Sequence, residues 1–305
     1  MKKGIYLSLI IALISGLSIF VNSFAAKALP NIYVFTTIKN LMVSLLLISL
    51  IIFLKKYKKL KELTKKDWLN LSFIGLIGGG IPFLLFFRGL AISTEAAISG
   101  AFIHKTLFIW VALISFVFLK EKLSLFQYSA LAIILFGIYL LGGPQNLTLG
   151  IGELLILSAT LMWATEATLV KKLLGNIDTS IAAFGRMFFG SLIMILYLIF
   201  SNNFSAIFSI NINSIKWIIL TSIFLLLYVF FYYKALQIEK ATVVTSILTL
   251  AFPLTVTLKN INLGLIKLEN IIGISIIALG VIMLIHLLKI PNATSIPPKI
   301  KAGES

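Results

Sequence analysis

The chain has 305 residues, 60% of them hydrophobic and only 12% charged, with a formal net charge of +16 and no cysteine. A soluble domain carries about 25% charged residues, so most of this surface must face lipid rather than water. Disulfides and thiolate metal sites are excluded, and two histidines, His104 and His286, are too few for a His-rich metal site.

Ten apolar stretches follow one another, at about 4–26, 33–54, 68–90, 95–119, 125–142, 151–170, 180–200, 215–235, 241–261 and 268–288. A membrane-crossing helix needs about 20 apolar residues. Period-two alternation is absent, and lipid tolerates only helices or closed barrels. The expected fold class is an all-α integral membrane protein with ten transmembrane helices. The first stretch has a basic start, an apolar core and small residues near position 26, which also describes a cleavable signal peptide. The internal repeat described below needs it as a helix, so it is taken as retained.

Lysine and arginine placement sets the orientation. The run "KKYKKLKELTKK" (55–66) alone holds seven lysines. With the N terminus inside, 17 cations fall in cytoplasmic segments and only three, Lys27, Lys216 and Lys267, on the opposite side. Both termini are therefore expected in the cytoplasm, and the positive charge is mainly a topology signal. The 55–66 cluster can also touch anionic headgroups. Nucleic-acid binding would need a basic face away from lipid, and none is evident.

The chain repeats itself. "NSFAAK" (22–27) corresponds to "EATLVK" (166–171), and "FTTIKN" (35–40) to "AFGRM" (183–187), with Lys39 opposite Arg186. "FRGLAIS" (87–93) corresponds to "YKALQIE" (233–239), with Arg88 opposite Lys234. "LAIILFGIYLL" (131–141) corresponds to "ISIIALGVIML" (274–284), with Gly137 opposite Gly280. The expected organisation is two five-helix repeats, 1–142 and 151–288, and a polar, disordered tail, 289–305. Five is odd, so the second repeat enters the membrane upside down. Inverted repeats are typical of secondary transporters, whose substrate site lies near the midplane between the halves.

These residues resemble the drug/metabolite transporter superfamily, EamA-like branch, over about 4–288. The resemblance rests on "MWATEATLVKK" (162–172), on the basic residue early in spans two and seven, and on "FLKEKLS" (118–124). The last is similar to the family's Leu-Gly-Glu-(Arg/Lys)-Leu-Ser ending of span four. "NLGLIKLEN" (262–270) lacks the matching acid after Gly264, and Phe108 stands where many members carry proline. The resemblance implies carriage of small metabolites such as amino acids.

An ionisable group at the bilayer centre costs about 2.5–3.5 kcal/mol on the insertion scale, whereas near a helix end it snorkels. Arg88, Lys234 and Lys259 lie close to span ends, and Glu121 with Lys120 and Lys122 reads as a solvated loop. Lys39 and Arg186 lie six residues in, as anchors or as elements at the two mouths of a pathway; Arg88 and Lys234 are further pathway candidates. His104, Lys105 and Glu166 are deeper. Their bland readings are a neutral imidazole bonded to backbone, a Lys105–Glu166 ion pair, and a Glu166–Lys171 pair. Their functional reading is a polar cavity between the halves. Lys105 supplies a compact charge for a carboxylate or phosphate, and Glu166 receives an ammonium group or a coupling proton. Asn22 adds a neutral hydrogen bond, and Trp163, Tyr232 and Tyr233 flat walls. Gly79 and Gly80 with Pro82 in span three, and Pro253 in span nine, are candidate hinges; a glycine run is also simply close packing.

"GLIGGG" (75–80) is not a dinucleotide loop, since no strand precedes it, and no P-loop is present. Asn146-Leu147-Thr148 is a glycosylation sequon. The leading expectation is an alternating-access secondary transporter in the plasma membrane, for an amino acid or related zwitterion or anion. A sugar-phosphate, nucleotide-sugar or drug carrier is the alternative within the fold. From other classes, a membrane-embedded transferase using His104 with Glu166, or a channel, is weighed against it. The expected partners are the bilayer, a small-molecule substrate, a coupling proton and, as an open option, a second copy of the chain. No cofactor is expected.

Overall fold

In the computed structural model, residues 3–28, 31–93, 100–144, 150–173, 175, 177–264 and 268–287 are described. The sequon, Lys267 and the tail 289–305 lie outside them. Among the described residues, nine helices are long and apolar enough to cross a membrane: Lys3–Ala25, Ile32–Phe53, Lys65–Ile92, Leu125–Gly142, Ile151–Leu173, Thr179–Phe200, Ser214–Ile238, Ala241–Leu263 and Asn270–Leu287. Where the sequence predicts the fourth span, a shorter apolar helix, Leu107–Phe118, is found.

The helices are α1 (Lys3–Ala28), α2 (Ile32–Phe53), α3 (Tyr57–Lys61), α4 (Lys65–Ile74), α5 (Ile81–Ile92), α6 (Ala101–Lys105), α7 (Leu107–Phe118), α8 (Leu125–Gly142), α9 (Ile151–Leu173), α10 (Thr179–Phe200), α11 (Ile212–Ile238), α12 (Ala241–Leu248), α13 (Ala251–Leu263) and α14 (Leu268–Leu287). A π-helix, Gly75–Gly80, joins α4 to α5. Polar residues start several of them by satisfying orphan N–H groups. Asn31 accepts from Tyr33 and Val34 at α2, Asp178 from Ser180 at α10, and Asn211 from Ser214 at α11. Capping boxes Thr64–Asp67 and Ser124–Gln127 open α4 and α8.

Packing is two-fold symmetric. The helix α1 packs on α11 and α13, and α9, five spans later, packs on α5 and α7. The pairs α2 with α10 and α8 with α14 each map onto themselves when a span is exchanged for the one five places along. At the last pair the repeat counterparts Gly137 and Gly280 are reciprocal. A Cβ on Gly137 would stand 2.8 Å from the Ile277 nitrogen, and one on Gly280 3.0 Å from the Ile134 nitrogen. Small residues of this kind let helix backbones meet in lipid.

One apolar core joins Ile11, Val43, Leu71, Ala164, Met187, Val229 and Val244; a second joins Phe108, Ile134, Val243, Ile277 and Leu284. Large apolar side chains also lie outside, among them Phe53, Leu125 and Phe200. A water-facing monomer does not expose apolar surface on this scale, so this exterior suits lipid.

Two spans are interrupted at the same repeat position. Thr106 separates α6 from α7, and its hydroxyl donates to the Ile103 carbonyl at 2.7 Å. Thr249 separates α12 from α13, and its hydroxyl donates to the Ser246 carbonyl at 2.6 Å. Both threonines fold back over three residues, an alternative to the helical ladder.

Candidate functional site

The site is assembled around the glycine run of the third span. Pro82 has no N–H to offer the Gly78 carbonyl four residues earlier, and a π-helical turn is a common companion of functional sites. The Gly78 carbonyl accepts from Arg186 Nη2 at 2.9 Å and from Trp163 Nε1 at 3.0 Å. The Gly79 carbonyl accepts from Asn40 Nδ2 at 3.3 Å. A Cβ on Gly78 would overlap the Glu166 side chain. The run thus ties spans two, six and seven to span three through its backbone. Gly79, Gly80 and Pro82 are buried here, as is Pro253 in α13.

Arg186 Nε donates to Glu166 Oε1 at 3.0 Å, and the Tyr233 hydroxyl donates to the same oxygen at 2.6 Å. Both charged side chains are almost fully buried. In the first repeat the counterpart contact is Lys39 Nζ to Asn22 Oδ1, at 3.4 Å. Asn22 in turn donates to the carbonyl and hydroxyl of Ser18.

A cavity of about 280 Å³ lies between the two repeats, lined by both. Asn22, Lys39, His104, Lys105, Trp163, Glu166, Arg186 and Tyr232 line it, with Ser15, Ser18, Phe83, Phe86, Phe87, Tyr228, Thr245 and Thr249. His104 and Lys105 end α6, directly before the Thr106 break. The His104 ring meets Trp163 at 5.0 Å and Phe86 at 5.3 Å, both edge-on, and its Nδ1 is buried without a hydrogen-bond partner. The Lys105 ammonium lies 5.3 Å from the Phe252 ring centroid. Among the described residues it has neither an ion pair nor a hydrogen bond.

At the N-terminal end of α12, polar contacts join the segment 119–124 to residues 239–242. The Glu121 carboxylate accepts from the Ala241 N–H and the Thr242 hydroxyl, both at 3.2 Å. Lys171 Nζ lies 3.6 Å from Glu121 and donates to the Glu239 carbonyl at 2.6 Å. Glu121 is therefore a buried cap for α12 rather than part of a solvated loop. A carboxylate is well placed there, since the first helical N–H groups carry partial positive charge.

A family model described as "EamA-like transporter family" matches residues 2–143 and again 150–286, one match for each repeat. The chain belongs to the EamA-like transporter family. It is therefore a multi-pass membrane protein of a family that moves small molecules. A solved crystal structure, described only as that of a protein, is 13% identical with a TM-score of 0.68. The alignment covers 92% of this chain and 97% of that one, and at this identity shows a shared fold. Comparison with curated proteins returns no match.

Within this family member, six of the seven residues expected to bind substrate line one cavity. The seventh, Tyr233, does not; it is buried and spends its hydroxyl on Glu166. Lys39 and Arg186, expected at two mouths, meet in that same cavity, because spans two and seven pack together. Arg88 is exposed, and Lys234 lies over the Phe230 ring at 5.9 Å; neither lines the cavity. Glu166 pairs with neither Lys105 nor Lys171. Its partner is Arg186, brought from the next span. Sequence reasoning missed Tyr228, Thr245 and Thr249, which are uncharged. The four-residue spacings Tyr228–Tyr232 and Thr245–Thr249, which share a helix face, were the available signal.

Proposed function

We propose that the protein is a secondary transporter that works by alternating access across the plasma membrane. Its two halves are five-span repeats of opposite orientation, with both termini in the cytoplasm. The observation that carries this reading is the charged cavity between the repeats, beside an interruption in one span of each. Discontinuous helices at a repeat interface are where carriers of this type hold their cargo. The Glu121–Lys171–Ala241 contacts then act as the closed cytoplasmic gate, and the Gly79–Pro82 stretch and Pro253 as flexing points.

The cargo is a small charged metabolite of amino-acid size, with a carboxylate or similar group at Lys105. A volume of about 280 Å³ falls just below the roughly 300–1,000 Å³ common to small-molecule sites, which suits a small cargo. His104 and Glu166 do not form an acid–base couple here: Glu166 is committed to Arg186 and Tyr233, and His104 faces aromatic rings. This favours carriage over transferase chemistry.

The test is reconstitution into proteoliposomes with labelled amino acids, organic acids and sugar phosphates, with and without an inward proton gradient. Saturable uptake of one class, stimulated by the gradient, is expected. Uptake indistinguishable from empty vesicles across the panel would refute the reading.

A further inference from the structure

Resting on the transporter reading, we infer that the cargo is a net anion with an apolar or aromatic body, not a zwitterion. The inference comes from how the two repeats differ. In the second, the basic residue of the seventh span meets a carboxylate, Glu166. In the first, the corresponding residue, Lys39, meets the neutral amide of Asn22. Lys105 stands on the first repeat's broken span; the same offset that pairs Thr106 with Thr249 gives Leu248 as its counterpart.

Charge in the cavity wall therefore does not cancel. With His104 taken as neutral, Lys39, Lys105 and Arg186 face one carboxylate, Glu166, leaving two positive charges. That carboxylate already serves Arg186 and Tyr233. Lys259, on α13, adds positive potential at Lys105 rather than relief. Uncompensated ammonium groups in a low-dielectric setting are costly, and an anion is the group that neutralises them. An amino acid would bring its own ammonium into this field, and no uncommitted carboxylate in the wall receives it. One part of the wall is aromatic: the Phe83 and Phe86 ring centroids lie 5.3 and 5.5 Å from that of Trp163, beside hydroxyl-bearing and aliphatic side chains. Such rings suit the flat or apolar part of a molecule whose charged end reaches the lysines.

The test uses probes built on one phenyl ring: phenylpyruvate and phenyl phosphate as anions, phenylalanine as zwitterion, phenethylamine as cation. Binding to the purified full-length protein is followed by calorimetry, and influx into proteoliposomes in parallel. At least one anion is expected to bind, and comparison of the two separates carboxylate from phosphate recognition. Lys105→Gln should weaken that binding about tenfold or more, the worth of one hydrogen bond to a charged group. Asn22→Asp supplies Lys39 with its own carboxylate; it should weaken the anions and admit phenylalanine. Lys39→Arg and Lys105→Arg keep the charge and should retain anion binding, which separates charge from misfolding. Phenylalanine or phenethylamine binding as tightly as the better anion overturns the inference, and so does binding of neither anion. Anion binding without influx would leave this inference standing and defeat the transporter reading. Phenylalanine influx unaffected by Asn22→Asp and Lys105→Gln would do the reverse.

Discussion

Arg186 and Lys39 hold corresponding places in the two repeats, each reaching from the second helix of its repeat to a polar residue late in the first. Arg186 finds a carboxylate at 3.0 Å and a tyrosine completes the shell; Lys39 finds an amide at 3.4 Å and the Phe35 ring at 4.9 Å, and no carboxylate among the described residues. The scaffold around them is shared, down to reciprocal glycines and back-bonded threonines at both helix breaks. Repetition thus preserves packing while substitution at two positions, Glu166 to Asn22 and Arg186 to Lys39, turns a locked structural pair into an available charge. One half holds the bundle together where the other is free to bind.

Breaking the locked half should have the largest effect. Glu166→Gln leaves a buried guanidinium without its counter-charge, which costs about 3–5 kcal/mol. A fall of several degrees in the melting temperature of the detergent-solubilised protein is expected; an unchanged value would show that the pair is not structural. Transport loss in this variant then reflects folding, whereas Lys105→Gln should keep the melting temperature and still lose uptake. The expected loss is about ten- to a hundredfold, from a charge-assisted contact of about 1.5–3 kcal/mol. A large drop in stability with Lys105→Gln would assign it to structure instead.

Where the halves are alike, their variants should respond alike. Gly137→Ala and Gly280→Ala each push a Cβ into the facing backbone, and overpacking of this kind costs about 1–3 kcal/mol. Similar decreases in melting temperature are expected; a strong effect from only one would break the reciprocity. The smallest effect lies between α9 and α10. Asp178 caps α10 and receives Lys56 at 3.0 Å and Lys59 at 3.3 Å. Burial pushes its carboxyl up, but the hydrogen bonds from Lys56, Ser180 and Lys59 and the Lys56 charge outweigh this and hold it below the usual aspartate range. Its contribution is complete above the unfolded value, about 3.9, and fades as pH falls through the lower folded value. Asp178→Asn should flatten that part of an acid melting profile while sparing the cap.

Much of this arrangement is legible in the sequence because lipid leaves little freedom. Long apolar runs locate the helices, and the matched motifs pair Lys39 with Arg186 and Gly137 with Gly280. The helix breaks are not legible. Thr106 and Thr249 are ordinary residues whose back-bonding emerges only when neighbours hold the chain. Nor is the partner of Glu166. Local spacing offers Lys171 and depth offers Lys105, but helix packing delivers Arg186 from another span. Glu121 was read as solvated because it sits among lysines at a helix end. Tertiary contact turns it inward onto α12.

Alternating exposure of the cavity is the central claim, and a chain without cysteine allows it to be measured cleanly. Single cysteines at Ser18 and Thr245, which line the cavity from opposite repeats, would be challenged with a membrane-impermeant thiol reagent from each side of oriented proteoliposomes. The account predicts that each position is labelled from both sides and that a transported anion slows labelling. Labelling confined to one side under every condition, with cargo or without, would contradict it.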